Sequence, residues 1–214
     1  MAEYKLYCFA QSGNSYKAAL MLNLIGADWE PVAVDFFAGE TRSPEFRSGL
    51  NEMGEAPVLE HQGKRLTQSG VILTYLSRLS GKFKASNEDG ELEVLRWILF
   101  DNHKVTNFMA SHRFFHSLAK DGDPAVIAFL RGRALTNLKI VDLHLAKQPY
   151  LVGDKPTIAD ISVAGYIYYP AEEHGFDIEK EFPNVHAWRE RIKKLPGWKH
   201  PYDLMPQPPS ALKK

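Results

Sequence analysis

The chain has 214 residues, of which 44% are hydrophobic and 24% charged, a globular composition with room for one large domain or two small ones. Its 26 Lys and Arg balance 26 Asp and Glu, so it lacks the basic excess of a dedicated nucleic-acid or membrane-surface binder. The single cysteine, Cys8, excludes an internal disulfide and any cysteine-built metal cluster.

The segment from Tyr4 to Phe9 is short, aromatic and β-prone, and it begins too early to leave room for a leader peptide. With no apolar run near the roughly 20 residues of a membrane span, a reducing, cytoplasmic location is the expectation. A polar break, A-Q-S-G-N-S, runs from Ala10 to Ser15. Ala18, Met21, Leu22 and Ile25 then recur at helical spacing, and Gly26 is placed to end that helix. Val32 and Val34 alternate within a second strand from Trp29 to Asp35. A strand–helix–strand unit predicts that the two strands are parallel. Phe36 to Glu55 reads as loop. Pro57 to Glu60 reads as a strand, His61-Gln62-Gly63-Lys64 as a hairpin turn and Arg65 to Thr67 as the return strand. Ser69 is placed to cap the next helix, with Ile72, Tyr75, Leu76 and Leu79 as its buried stripe and Gly81 as its end.

The character changes after Gly81. Residues 82–90 read as a polar linker, and the rest is helix or loop. One long helix is predicted from Glu91 to about Ala119, with Leu95, Ile98, Asn102, Val105, His112 and Phe115 near one face. Asp123-Pro124 is a cap followed by proline at the first helical position, and Val126, Phe129, Leu130, Leu138, Val141 and Leu145 continue that helix. Thr157-Ile158-Ala159-Asp160 fits a capping box opening a helix that reaches Pro170. Val185, Trp188 and Ile192 mark the last helix, ended by Leu195-Pro196-Gly197, and the proline-rich tail from Pro201 is expected to wrap the surface. The organisation is therefore residues 1–81, a linker over 82–90, and a helical domain with its tail over 91–214.

Four motifs turn this outline into a resemblance: S-G-N-S-Y-K from Ser12, G-E-A-P-V-L from Gly54, Q-S-G-V-I-L-T-Y-L from Gln68 and T-I-A-D from Thr157. In this order and spacing they resemble the glutathione transferase superfamily. The resemblance implies an α/β thioredoxin-like amino-terminal domain (βαβ–ββα) followed by an all-α domain. It implies a cis bond at Ala56-Pro57, with the N–H and C=O of Ala56 facing a cleft and pairing with the cysteinyl backbone of glutathione. It implies that the γ-glutamyl carboxylate sits on Ser69 at a helix N-terminus, and that the Gln68 carbonyl accepts from the γ-glutamyl ammonium. Many members carry Glu where Gln68 stands, which adds a charge that Gln lacks.

The nucleophile in such chemistry is a thiolate, which needs donors placed close to sulfur. The loop most resembles that of bacterial nu-type members, which implies Ser12 as main thiolate donor and Asn14 as second donor. Ser15 is a rival hydroxyl, more simply read as the cap of the first helix. Tyr7 is a second rival, but the register puts Cys8 at the place of the tyrosine used by other members, and Cys8 reads as an inert core thiol.

Two residues depart from the family pattern: Glu52 stands where a proline is usual, and Glu55 where a Gln, Lys or Arg often meets the glycyl end of glutathione. A carboxylate there repels the glycyl carboxylate if it points into the cleft, unless Arg42 or Arg47 compensates. The site for a small apolar electrophile is expected between the domains. Its candidate lining is His103, Asn107, Phe108, Met109, His112 and Phe115 from the long helix, with Tyr166, Tyr168 and Tyr169. No metal site is expected, because His103 and His112 lack a ligand spacing. The expected protein is thus a cytoplasmic, homodimeric glutathione transferase serving detoxification, with glutathione as co-substrate and neither nucleic acid nor membrane as partner. The alternatives are a glutathione-dependent disulfide reductase and a non-enzymatic binding or regulatory module.

Overall fold

The computed structural model describes residues 2–210 and divides into two units, one running to Lys82 and rejoined by the segment from Pro196, the other spanning Phe83–Leu195. In the first unit β1 (Tyr4–Cys8), α1 (Gly13–Ile25), β2 (Trp29–Ala33), α2 (Pro44–Gly49), β3 (Val58–His61), β4 (Lys64–Thr67) and α3 (Ser69–Ser80) follow in order. The sheet order is β2-β1-β3-β4. β1 and β2 are parallel, with Tyr4 opposite Trp29 and Cys8 opposite Ala33. β3 runs antiparallel to β1 with Leu6 opposite Leu59, and both side chains are fully buried. The hairpin to β4 turns at Gln62 and Gly63, whose φ of 48° and 74° are the paired positive values of a type I′ turn. This is the thioredoxin-like arrangement that the resemblance implied.

Helical spacing leaves one face of α1 for solvent, yet Tyr16, Ala19, Leu20 and Leu24 are buried along with Ala18, Met21 and Leu22. The carboxyl-terminal segment covers that face. The Asn23 amide bonds to the Gly197 carbonyl, the Tyr16 hydroxyl donates to the Lys199 carbonyl at 2.8 Å, and the short helix Pro201–Leu204 packs against α1. Gly197 is required by this approach: its φ is 92°, and a Cβ would lie 2.6 Å from the Asn23 carbonyl oxygen.

Several expectations change. The stretch read as loop after Phe36 contains a helical turn at Glu40–Arg42 and the helix α2, whose Ser43 hydroxyl accepts from the Phe46 N–H at 3.1 Å. The S-P-E-F sequence, a cap followed by proline and an acid, carried that signal. Ser15 does not cap α1; Ser12 does. Ser69 does not cap α3 but is its first residue, after Gln68 in the cap position. Leu79 is 54% exposed, and Leu73 takes its place in the buried stripe with Ile72 and Leu76.

In the second unit the described elements are all helical: α4 (Glu88–Phe100), α5 (Thr106–Arg113), α6 (Pro124–Leu145), α7 (Ile158–Val163), α8 (Ala171–His174), α9 (Ile178–Glu181) and α10 (Pro183–Lys193). Asn87 caps α4 by accepting from the Gly90 N–H at 2.8 Å, and the helix starts at Glu88, three residues before the predicted start. The predicted long helix is a run in which α4 and α5 are joined, and α5 is extended, by wider π-type turns at Asp101–Val105 and Phe114–Leu118. A π turn adds a residue and rotates the buried face. Ile98, Val105 and His112 are therefore buried as predicted, whereas Leu95, Asn102 and Phe115 are exposed.

The T-I-A-D box forms as read: the Thr157 hydroxyl accepts from the Ala159 N–H, and Asp160 accepts from the Thr157 N–H at 2.8 Å. The helix it opens is α7, shorter than predicted and followed by a helical turn at Ala164–Tyr166. Asp160 does more than reciprocate the cap, since its Oδ1 also accepts from the Leu151 N–H and the Trp188 indole N–H, both at 2.9 Å.

His174 is nearly fully buried, its ring 5.4 Å from that of Phe176. Burial, with the Arg113 guanidinium and His112 nearby, pushes its imidazole down to about 3 from an ordinary 6.5. An imidazole depressed in the fold contributes stability that is present above about pH 6.5 and is lost as pH falls toward 3. This group alone should weaken folding by about 1.4 kcal/mol per pH unit over that window, and the lowered His112 acts in the same direction. Urea unfolding at pH 7, 6 and 5 should show the fall, and His174→Gln should flatten it; equal slopes in both proteins would count against this assignment.

Candidate active site

The chain leaves β1 through Phe9-Ala10-Gln11 and reaches Ser12, whose N–H donates to the Phe9 carbonyl at 3.0 Å. Ser12 has extended backbone (φ −88°, ψ 108°) and its Oγ accepts from the Ser15 N–H at 3.1 Å. A serine hydroxyl can accept through a lone pair while still donating its proton. Capping therefore uses the oxygen and leaves the hydrogen available, so the structural and chemical roles of Ser12 are compatible. Ser15 is completely buried, and its Oγ has no hydrogen-bond partner among the described residues. The carboxyl-terminal segment braces this loop: the Ala10 N–H donates to the Pro206 carbonyl at 2.8 Å, and the Gln11 amide donates to Gln207 Oε1 at 2.6 Å.

Asn14, in the first turn of α1, reaches across to α3. Its Oδ1 accepts from the Ser69 hydroxyl at 3.4 Å, which leaves its amide hydrogens to donate elsewhere. Gln68, at φ 64°, turns the chain into α3 without any side-chain cap on the helix. The N–H groups of Ser69 and Gly70 thus lack intrahelical acceptors and sit at the positive end of a 12-residue helix. That is an anion-binding arrangement.

Beside it lies the Asn51–Pro57 loop. Asn51 is buried and ties the loop at two points: its Nδ2 donates to the Glu55 carbonyl at 2.8 Å and its Oδ1 accepts from the Met53 N–H at 3.1 Å. Asn51 is not among the candidate residues of the sequence, although an Asn bonding two residues ahead is an ordinary turn signal. The Ala56-Pro57 bond is cis. The Ala56 N–H and C=O make no hydrogen bond among the described residues, and Ala56 packs against the apolar cluster that includes Phe9 and Val58. Glu55 is exposed, and its Oε2 accepts from Gln68 Nε2 at 3.0 Å; that nitrogen also lies 3.2 Å from Met53 Sδ. Arg47 lies over Gly54, where a Cβ would meet its guanidinium at 2.6 Å, and donates to the Glu52 carbonyl at 3.1 Å. Arg42 ends the helical turn before α2 and is exposed; no hydrogen bond joins it to the group around Ser69.

Ser12, Asn14, Ala56, Pro57, Gln68 and Ser69 are therefore brought to one end of the sheet in the first unit. Tyr7 is not among them, because its hydroxyl donates to Glu60 Oε2 at 3.3 Å. Cys8 is fully buried, and burial pushes its thiol up to about 12, which keeps it protonated and inert. In the second unit His103 and Asn107 are exposed and one turn apart, whereas Tyr166 is buried with its ring 5.8 Å from Tyr169. No group of three or more His, Cys, Asp or Glu suited to a metal occurs among the described residues.

Comparison with known proteins shows the family. The family pattern described as "Glutathione S-transferase, N-terminal domain" matches residues 2–78, and that described as "Glutathione S-transferase, C-terminal domain" matches residues 124–191. The chain belongs to the glutathione S-transferase family. It is 30% identical to glutathione S-transferase 3 of Zea mays, over 98% of this chain and 97% of the relative. It is 34% identical to the crystal structure of a glutathione S-transferase from Pseudomonas fluorescens, with a TM-score of 0.86 over 94% of this chain and all of the other. It is also similar to the glutathione transferase URE2P8 of Phanerochaete chrysosporium, solved with oxidized glutathione (26% identity, TM-score 0.86, 100% of this chain and 98% of the other).

Proposed function

We propose that this protein activates the thiol of bound glutathione for attack on a small electrophile, with an active-site loop of the nu-like serine/asparagine type. The observation that carries the reading is the buried Ser12 hydroxyl, which accepts a cap bond yet keeps its proton for a thiolate, two residues from an Asn14 that touches Ser69. The Ser69 and Gly70 N–H groups would take the γ-glutamyl carboxylate. The Ala56 N–H and C=O would take the cysteinyl backbone, with Pro57 setting the turn that exposes them. The sulfur would then lie at the Ser12 end, where the hydroxyl and the Asn14 amide stabilise its negative charge. Exposed Arg42 is the side chain we assign to the glycyl end. In the second unit, His103 and Asn107 are the polar side chains we assign to the co-substrate, and Tyr166 is buried against Tyr169. No helix among the described residues is long and apolar enough to cross a membrane.

A second reading is glutathione-dependent disulfide reduction. Its support is the absence of a reactive cysteine in the loop, together with a relative solved with oxidized glutathione. The bound thiolate would attack a mixed disulfide and displace the other thiolate, forming oxidized glutathione. A homodimer is supported by Leu92, Leu95 and Leu99, which line one face of α4 at helical spacing and are all more than half exposed.

Calorimetry with glutathione tests the reading. On binding, the Ser69 hydroxyl would exchange its contact with Asn14 Oδ1 for the γ-glutamyl carboxylate, so micromolar to low-millimolar binding is expected, weakened about tenfold by Ser69→Ala, the scale of a lost hydrogen bond to a charged group. A wild-type protein that does not bind glutathione would overturn it.

A further inference from the structure

We propose that Glu55 supplies the negative charge that recognises the γ-glutamyl ammonium, acting beside Gln68 as a two-residue acceptor and so setting the specificity for an α-amino-acid head group. The inference rests on the glutathione-binding reading above and deepens it.

An α-amino-acid head carries its ammonium on the same carbon as its carboxylate. If the carboxylate sits on the N–H groups at the start of α3, the ammonium must lie within a few ångströms of them. That position is electrostatically poor for a cation, since the helix N-terminus is itself partly positive. A neutral amide at residue 68 offers a carbonyl dipole but no charge to offset this. Glu55 does offer one. Its Oε2 accepts from Gln68 Nε2 at 3.0 Å, and this contact has two effects. It holds the Gln68 amide with its nitrogen toward Glu55, leaving Oε1 as the acceptor for a ligand N–H. It also anchors a full negative charge next to that acceptor, at the side of the residue that leads into α3.

Glu55 is also uncompensated. It makes no ion pair among the described residues. The nearby Arg47 is engaged with the Glu52 carbonyl and covers Gly54. The backbone carbonyl of Glu55 is fixed by Asn51, so the residue's position in the loop is set. The expectation that Glu55 repels the glycyl carboxylate supposes a side chain directed along the cleft, whereas its carboxylate is turned to Gln68 at the opposite, γ-glutamyl end of the ligand.

The two roles predict opposite signs. Calorimetry would compare wild type with Glu55→Gln, using glutathione and its desamino analogue, glutaryl-cysteinyl-glycine, which lacks only the ammonium. On the proposal, Glu55→Gln weakens glutathione binding about tenfold and leaves the analogue within about twofold, the order expected for one charge pair in a partly solvated site. Adding salt should narrow the wild-type preference for glutathione over the analogue. Tighter glutathione binding by Glu55→Gln, or an equal change for both ligands, overturns the proposal while leaving the site reading intact. A wild-type protein that binds neither ligand overturns the reading beneath it, and the proposal with it. Because Glu55 is exposed, an unchanged thermal midpoint is expected for the variant and confirms that it is folded.

Discussion

Ser12→Ala is expected to lower kcat/KM for glutathione conjugation by about 100- to 1000-fold, the usual effect of removing one donor aimed at developing or resident negative charge. Glutathione affinity should change little, because the proposed reading places the ligand's carboxylate and backbone on other residues. The decisive measurement is the pH profile of turnover. A thiol in water titrates near 8.5, and donors to its thiolate pull that midpoint down. Without the Ser12 hydroxyl the midpoint should move up toward the free value. The same substitution removes the cap of α1, since Ser12 Oγ accepts from the Ser15 N–H, at a cost of about 1 kcal/mol in stability. That loss alone lowers the melting temperature and moves no pH midpoint. Ser12→Thr keeps both the oxygen and the proton, and should restore cap and midpoint together. A Ser12→Ala enzyme with unchanged rate and midpoint would remove Ser12 from the mechanism.

Asp160→Ala is expected to be the most destabilising single change, at about 4 kcal/mol. Asp160 has no solvent exposure, and it serves three N–H donors from separate parts of the second unit, at Thr157, Leu151 and Trp188, besides the Thr157 hydroxyl. Removing it strands those donors, each buried donor costing about 1 to 3 kcal/mol when left unpaired. Burial pushes the carboxyl up, while these hydrogen bonds oppose the shift. For a chain of this size the loss corresponds to a fall of roughly 10 °C in melting temperature, readable by calorimetry or circular dichroism. Asp160→Asn, which keeps one acceptor oxygen, should lose less. A variant at alanine that melts within about 2 °C of wild type would show that water or a neighbouring group satisfies these donors.

The capping box at Thr157, the Asp123 cap and the Gly26 and Gly81 helix ends were legible because each depends on residues a few positions apart. The parallel pairing of β1 and β2 was legible for a similar reason: a short strand–helix–strand connection leaves little choice of direction. The buried face of the long helix was not, because the π-type turns at Asp101–Val105 and Phe114–Leu118 shift a 3.6-residue count that periodicity assumes throughout. The roles at the starts of α1 and α3 were missed because serine near a helix start suits both a cap and a first-turn position. Ser12 and Ser15 compete for one cap, and only backbone geometry chooses between them.

The sequence alone determined the order of the four strands, the family, and the cluster of Ser12, Asn14, Ala56-Pro57 and Gln68-Ser69 as the residues to watch, since local propensity and motif spacing reside in the chain itself. Tertiary structure alone decided what those residues are free to do. The Ser69 hydroxyl turns to Asn14, 55 positions away, and Gln68, in the cap position, makes no side-chain bond to α3. Glu55 turns to Gln68, 13 positions away. The segment beyond Pro196 returns to cover α1 and to brace Ala10 and Gln11. Each is a contact between distant parts of the chain, whose formation depends on packing that no local pattern encodes.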